Sequence, residues 1–149
     1  MDVKVVVDSG DLENIEFVRG ELKIDCDTGP RKLVRDREGG IKGYGVDVKC
    51  IALSKEYDGE RNLYYGLFWP VGVDFYRAGL SIPINGKVIC VTSYDLFEVF
   101  GGVDKYPVSH WNSWSYVYKR DDINSRVIFS IDRDGCVGGI YISVNRDRQ

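Results

Sequence analysis

The amino-acid sequence predicts an α+β domain, predominantly antiparallel β-sheet with one short helix, residues about 93–100, packed on it. Three observations carry this. Apolar and polar residues alternate over much of the chain, as they do in strands with one solvated face. Glycine, asparagine and aspartate interrupt the alternation where turns are needed. One segment shows helical spacing and carries its own start and stop signals.

In chain order, Val3 to Val7 reads as a strand because three of its five residues are adjacent valines. Ile15 to Arg19 and Glu21 to Cys26 read as two strand arms around Gly20, or as one strand kinked there. The charged stretch from Thr28 to Gly43, with Pro30 and Gly39-Gly40, reads as a loop. Tyr44 to Leu53 returns to alternation, with Val46, Val48, Cys50 and Ala52 on one face and Asp47 and Lys49 on the other. Leu63 to Trp69 is apolar on both faces, the pattern of a central or doubly covered strand.

Leu80 to Val91 reads as a hairpin, because Asn85-Gly86 tolerates the positive φ that a type I′ turn demands. Pro83 has no N–H to donate, so its arm lies at an edge or ends its ladder there. Thr92 or Ser93 caps the helix, Asp95 suits its first turn, Leu96, Val99 and Phe100 share a side, and Gly101-Gly102 ends it. Strands then follow at Trp114 to Lys119, Arg126 to Ile131 and Val137 to Val144, with turns at 121–125 and 132–135. Residues 80–144 thus read β-β-α-β-β-β.

A chain of 149 residues fits a single domain, divisible into an N-terminal β lobe at 1–79 and a C-terminal part at 80–149. No apolar run approaches the length of roughly 20 residues that a membrane helix requires, and the start lacks the pattern of a signal peptide, so the expected location is cytoplasmic with no membrane partner. Cys26, Cys50, Cys90 and Cys136 are widely spaced and form no C-x-x-C pair; buried thiols are expected in preference to two disulfides. A net charge of −3 offers no general attraction to nucleic acid. The charge is unevenly spread: residues 1–30 hold eight acids against three bases, and residues 31–42 hold five bases against two acids.

No catalytic, metal or cofactor motif emerges. His110, the only histidine, would have to serve any general-base mechanism, with Asp104, Cys90 or Cys136 as neighbours, and a structural or interface role explains it more simply. Asp132-Arg133-Asp134-Gly135 lacks the further oxygen ligands of a calcium loop and reads as a β-turn. Gly39-Gly40 and Gly43-Tyr44-Gly45 are not followed by a helix whose amides would cradle phosphate, so they read as turns. Aromatic density is the salient feature: Tyr106, His110, Trp111, Trp114, Tyr116 and Tyr118 crowd one segment, and Tyr64, Tyr65, Phe68, Trp69, Phe75 and Tyr76 crowd another. In a strand Trp114, Tyr116 and Tyr118 share a face, which either fills the core or forms a binding hot spot.

From Ser93 to Val144 the run of helix, Phe100-Gly101-Gly102, loop with Pro107, tryptophan-bearing strand, Val127 to Ile131, Asp134-Gly135 and Val137 to Ile142 resembles bacterial helix-plus-meander modules of the BamE/SmpA kind. It is also similar to bacterial immunity partners of secreted toxins. The lipoprotein members carry a lipid-attachment cysteine after a leader, and this chain shows neither. The resemblance covers about a third of the chain and implies a binding module rather than an enzyme.

The functional expectation is therefore a cytoplasmic immunity protein that neutralises a toxin domain by covering its active site, without cofactor. Glu13, Glu16 and Asp27 would meet a basic cleft, and Trp111, Trp114, Tyr116 and Tyr118 would anchor the contact. The alternatives are a small hydrolase or transferase using His110 and a self-associating structural subunit.

Overall fold

The computed structural model describes residues 2–59, 61, 63–108 and 113–147. Among the described residues the chain forms three helices and nine strands. They are α1 (Val3–Ser9), α2 (Ile15–Leu22), β1 (Ile24–Thr28), β2 (Lys32–Arg35), β3 (Ile41–Ala52), β4 (Tyr64–Pro70), β5 (Phe75–Pro83), α3 (Ser93–Phe100), β6 (Asp104–Val108), β7 (Ser113–Arg120), β8 (Ser125–Ile131) and β9 (Val137–Asp147). The α+β, sheet-dominated class agrees with the sequence, but there are three short helices rather than one.

All strands join one antiparallel sheet in the order β1-β3-β4-β5-β9-β8-β7-β6, with β2 pairing β3 beyond the end of β1. Two meanders, β3-β4-β5 and β6-β7-β8-β9, meet at the long β5–β9 pairing from Phe75↔Asp147 to Pro83↔Gly139. Register fixes what each face shows. One row across six strands is Val48, Tyr65, Leu80, Ile142, Val127 and Tyr118. The next row, on the opposite face, is Asp47, Gly66, Gly79, Ser143, Arg126 and Lys119. The first face is core and receives Val3, Val6, Val7, Leu12, Val18, Leu22 and Leu96 from the helical segments.

The first 22 residues depart most from expectation. Val3 to Val7 is helical because Val3, Val6 and Val7 fall on one side of a helix and are buried there, while Lys4 pairs with Asp8 one turn later at 2.6 Å. Gly10 ends α1 in a left-handed conformation, φ 63°. The arms expected around Gly20 are instead α2, capped by the Asn14 side chain accepting from the Phe17 amide at 3.2 Å, with Val18 and Leu22 buried. Only its end, Ile24–Thr28, is a strand. Buried tyrosines pin this helical arm to the sheet: Tyr57, Tyr65 and Tyr76 donate their hydroxyls to the carbonyls of Leu22, Leu12 and Gly10. Burial drives the Tyr57 phenol up to about 12, with a smaller contribution from Glu56, so it stays a donor at neutral pH.

Two further expectations are overturned. The segment 28–43 is not all loop: β2 folds back on β3 through a turn in which Asp36 accepts from the amides of Glu38 and Gly40, both at 2.9 Å. Asn85-Gly86 makes no hairpin. Neither residue has positive φ, so the type I′ geometry is absent; Val88 and Ile89 instead donate to the Asn85 carbonyl, both at 3.0 Å, in a helical-type turn. The residues after it form no strand, and β5 ends at Pro83. The capped helix stands as read from sequence, with Thr92 and Asp95 forming a reciprocal capping box.

The cysteines also differ from expectation. Cys26 is joined to Cys50 across β1 and β3, and Cys90 to Cys136, which ties the segment before α3 to the start of β9. Alternation placed Cys50 on the face it shares with Val46 and Val48, but only the pairing of β1 with β3 makes Cys26 its neighbour.

Candidate functional site

All three helices pack on the core face, and among the described residues no helix lies on the opposite face of the central strands. Strand alternation places Tyr64, Gly66 and Phe68 of β4, Arg77, Gly79 and Ser81 of β5, Tyr141, Ser143 and Asn145 of β9, and Arg126 of β8 on that side. All of these but Ser81, together with Lys119, Asp121 and Asn124, line an open depression of about 620 Å³.

Its floor is low because Gly66 and Gly79 sit directly opposite each other. A β-carbon at Gly66 would stand 2.5 Å from the Tyr64 hydroxyl, and one at Gly79 would stand 2.8 Å from the Tyr141 hydroxyl. Both rings therefore lean inward over bare backbone, the close approach that glycine inside a strand permits. Tyr64 and Tyr141 nonetheless remain 54% and 39% exposed. Arg126 donates from Nε to the Ser143 hydroxyl at 3.1 Å, and Arg77 lies over the Phe75 ring at 5.6 Å. Among the described residues neither arginine reaches a carboxylate within ion-pair distance. The basin combines aromatic faces, hydroxyl donors and cations in an acidic chain.

The residues singled out from sequence lie elsewhere. Glu13 accepts from the Trp69 indole at 3.2 Å, beside Arg31, which stacks over Trp69 at 4.9 Å and Tyr44 at 5.5 Å. Glu16 is fully presented to solvent, at 82% side-chain exposure, and pairs with Arg19 at 2.9 Å. Asp27 is exposed on β1, at the sheet edge opposite Lys49. Tyr116 is buried against Phe97, and Tyr118 packs on Phe100 with its hydroxyl donating to Asp8 at 2.8 Å; both fill the space under α3. Of that trio only Trp114 is exposed, at 44%, with the Lys105 ammonium 4.0 Å above its ring. Trp111 and His110 lie outside the described residues. Glu13, Glu16 and Asp27 do not converge with Trp114 on one patch.

A thiol partner for His110 is removed, since Cys90 and Cys136 are bonded to each other. Asp132 to Cys136 closes the β8–β9 hairpin, Asp134 accepting from the Cys136 amide at 3.0 Å. Among the described residues no group of three His, Cys, Asp or Glu side chains is placed to hold a metal ion, and no helix is long and apolar enough to cross a membrane.

Sequence reasoning noted Tyr64 only as one of an aromatic-rich segment and passed over Arg77, Arg126, Tyr141 and Ser143. The available signal was the outward half of each alternating strand, with a glycine at the centre of two neighbouring ones; which strands are neighbours was not legible. Comparison with protein-family models, curated proteins and solved structures gives no match.

Proposed function

We propose that this chain is a protein-binding module that engages its partner through the uncovered face of the sheet. The observation that carries the reading is the one-sidedness of the fold: three helices cover one face, while the other presents Tyr64, Phe68, Tyr141, Arg77 and Arg126 around a shallow basin. Tyrosine and arginine are the residue types enriched at interface hot spots, and a rigid sheet presents them at little ordering cost. A depression this open suits a protruding segment of a partner better than an enclosed substrate.

Within that class, the narrower proposal is an immunity protein that neutralises a toxin domain by covering its active site. The acidic residues Glu16 and Asp27 belong to a second, weaker contact in this scheme. The cytoplasmic location expected from the absence of a signal-peptide pattern fits the two disulfides poorly, because disulfides favour an oxidising compartment.

The test is affinity capture from native lysate with tagged protein, comparing the wild type with the double variant Tyr64→Ala, Tyr141→Ala and with the double variant Glu16→Lys, Asp27→Lys. The expected result is a partner at one-to-one ratio that is lost with the tyrosine variant and only weakened with the charge-reversed one. Equal recovery by wild type and tyrosine variant would sink the reading.

A further inference from the structure

We infer that the basin recognises an extended, carboxylate-rich segment of the protein partner, an inference that rests on the protein-binding reading above. The cations are placed in a way that sheets ordinarily avoid. Lys119 and Arg126 are directly opposite each other on β7 and β8, and like charges in that position repel. Arg77 adds a third positive charge from β5. Among the described residues of the basin lining and of this row, the acidic groups are Asp121 at the rim and Asp47 at the far end beyond Gly66. Arg77 and Arg126 reach no carboxylate within ion-pair distance among the described residues, and an anionic occupant of the basin supplies the counter-charge to both.

Spacing decides what kind of anion. Arg77 stands on β5, Arg126 on β8 and Lys119 on β7, so the cations are spread over up to three interstrand steps, about 14 Å at roughly 4.8 Å per step. Cations rooted on three strands match several carboxylates carried along one chain better than a single compact anion. A segment crossing the strands with carboxylates on alternate residues, about 7 Å apart, meets Arg77 and the Arg126–Lys119 pair together. Guanidinium groups hold carboxylates through paired N–H donors, and Arg126 is already oriented by the Ser143 hydroxyl. The Tyr64 and Tyr141 hydroxyls, poised over Gly66 and Gly79, can donate to the carbonyls of the crossing backbone. The row runs from Asp47 at one end to Lys119 at the other, which also sets the direction in which an unevenly charged segment lies.

The experiment is a titration of the isotope-labelled full chain, read by amide and arginine Nε–H chemical shifts. The probes are a blocked peptide alternating glutamate and tyrosine, its glutamine counterpart, and inorganic phosphate. The expected result is saturable shifts at Gly66, Gly79, Ser143 and the Arg77 and Arg126 side chains with the glutamate peptide, and none with the glutamine peptide. Arg77→Ser and Arg126→Ser should each weaken the glutamate peptide about tenfold, the loss of one charge-assisted contact. Gly79→Val, which keeps every charge and displaces the Tyr141 ring, should weaken it as well. Phosphate shifting the same groups as strongly would overturn the inference in favour of a small-anion site, and absence of shifts at the basin would overturn it outright. Failure of the parent reading looks different: basin shifts with the peptide, but partner capture indifferent to Tyr64 and Tyr141, would sustain acid recognition and sink the proposed mode of protein binding.

Discussion

Asp8 shows how much one side chain joins. It accepts from Lys4 at 2.6 Å within α1 and from the Tyr118 hydroxyl at 2.8 Å on β7, and lies 3.3 Å from Arg120. Burial raises its carboxyl, but the hydrogen bonds from Lys4 and Tyr118, with the nearby Lys4 charge and the Arg120 contact, outweigh that and hold it below the usual aspartate range. A carboxyl depressed on folding contributes stability that is present above its unfolded value, about 3.9, and is lost as pH falls through the folded value. Asp8→Asn should therefore destabilise by about 1 kcal/mol at neutral pH, and the difference from wild type should shrink below about pH 4. Urea unfolding at several pH values checks this, and a difference independent of pH would contradict it. In the sequence Asp8 was only one of eight acids in the first 30 residues; its role depends on β7, some 110 residues away, and was not legible.

Elements were legible where local chemistry agrees with tertiary context. The capping box at Thr92 and Asp95, the outward polar residues of β3, and the turns before β8 and β9 all follow from nearest neighbours. Val3–Ser9 did not, because β-branched residues argue for a strand while burial of Val3, Val6 and Val7 under a sheet makes the helix; packing overrides propensity. Asn85-Gly86 failed differently, since β5 has no free edge to pair with a returning arm: β4 and β9 already flank it. The disulfides give the element scale its prediction. Cys26–Cys50 closes a sequence separation of 24 residues and Cys90–Cys136 one of 46, so reduction should destabilise by about 2–4 kcal/mol for each bridge. A thiol titration of the unfolded, unreduced protein should find none free, and four reactive thiols would contradict the paired arrangement.

At the scale of the whole molecule, the sheet-dominated α+β class was legible from alternation and turns, and the central place of β4 from its apolar sequence. What was not legible is that β5 and β9 join two meanders into one sheet, since no local signal specifies a pairing between residues 56 to 72 apart. That junction brings Arg77 beside Asn145 and Gly79 beside Ser143, and so creates the basin. It also explains why the aromatic segment around Trp114 was a misleading guide: Tyr116 and Tyr118 are spent on α3, and the exposed tyrosines of the central strands face the other way.

The most direct measurement is tyrosine nitration of the free protein and of its complex with the captured partner, mapped by mass spectrometry. Tyr64 and Tyr141 line the uncovered face, whereas Tyr94 is 71% exposed on α3, on the helical side. The account predicts that Tyr64 and Tyr141 react in the free protein and are protected in the complex, with Tyr94 equally reactive in both. Protection of Tyr94 with Tyr64 and Tyr141 still reactive would contradict it and move the interface to the helical face.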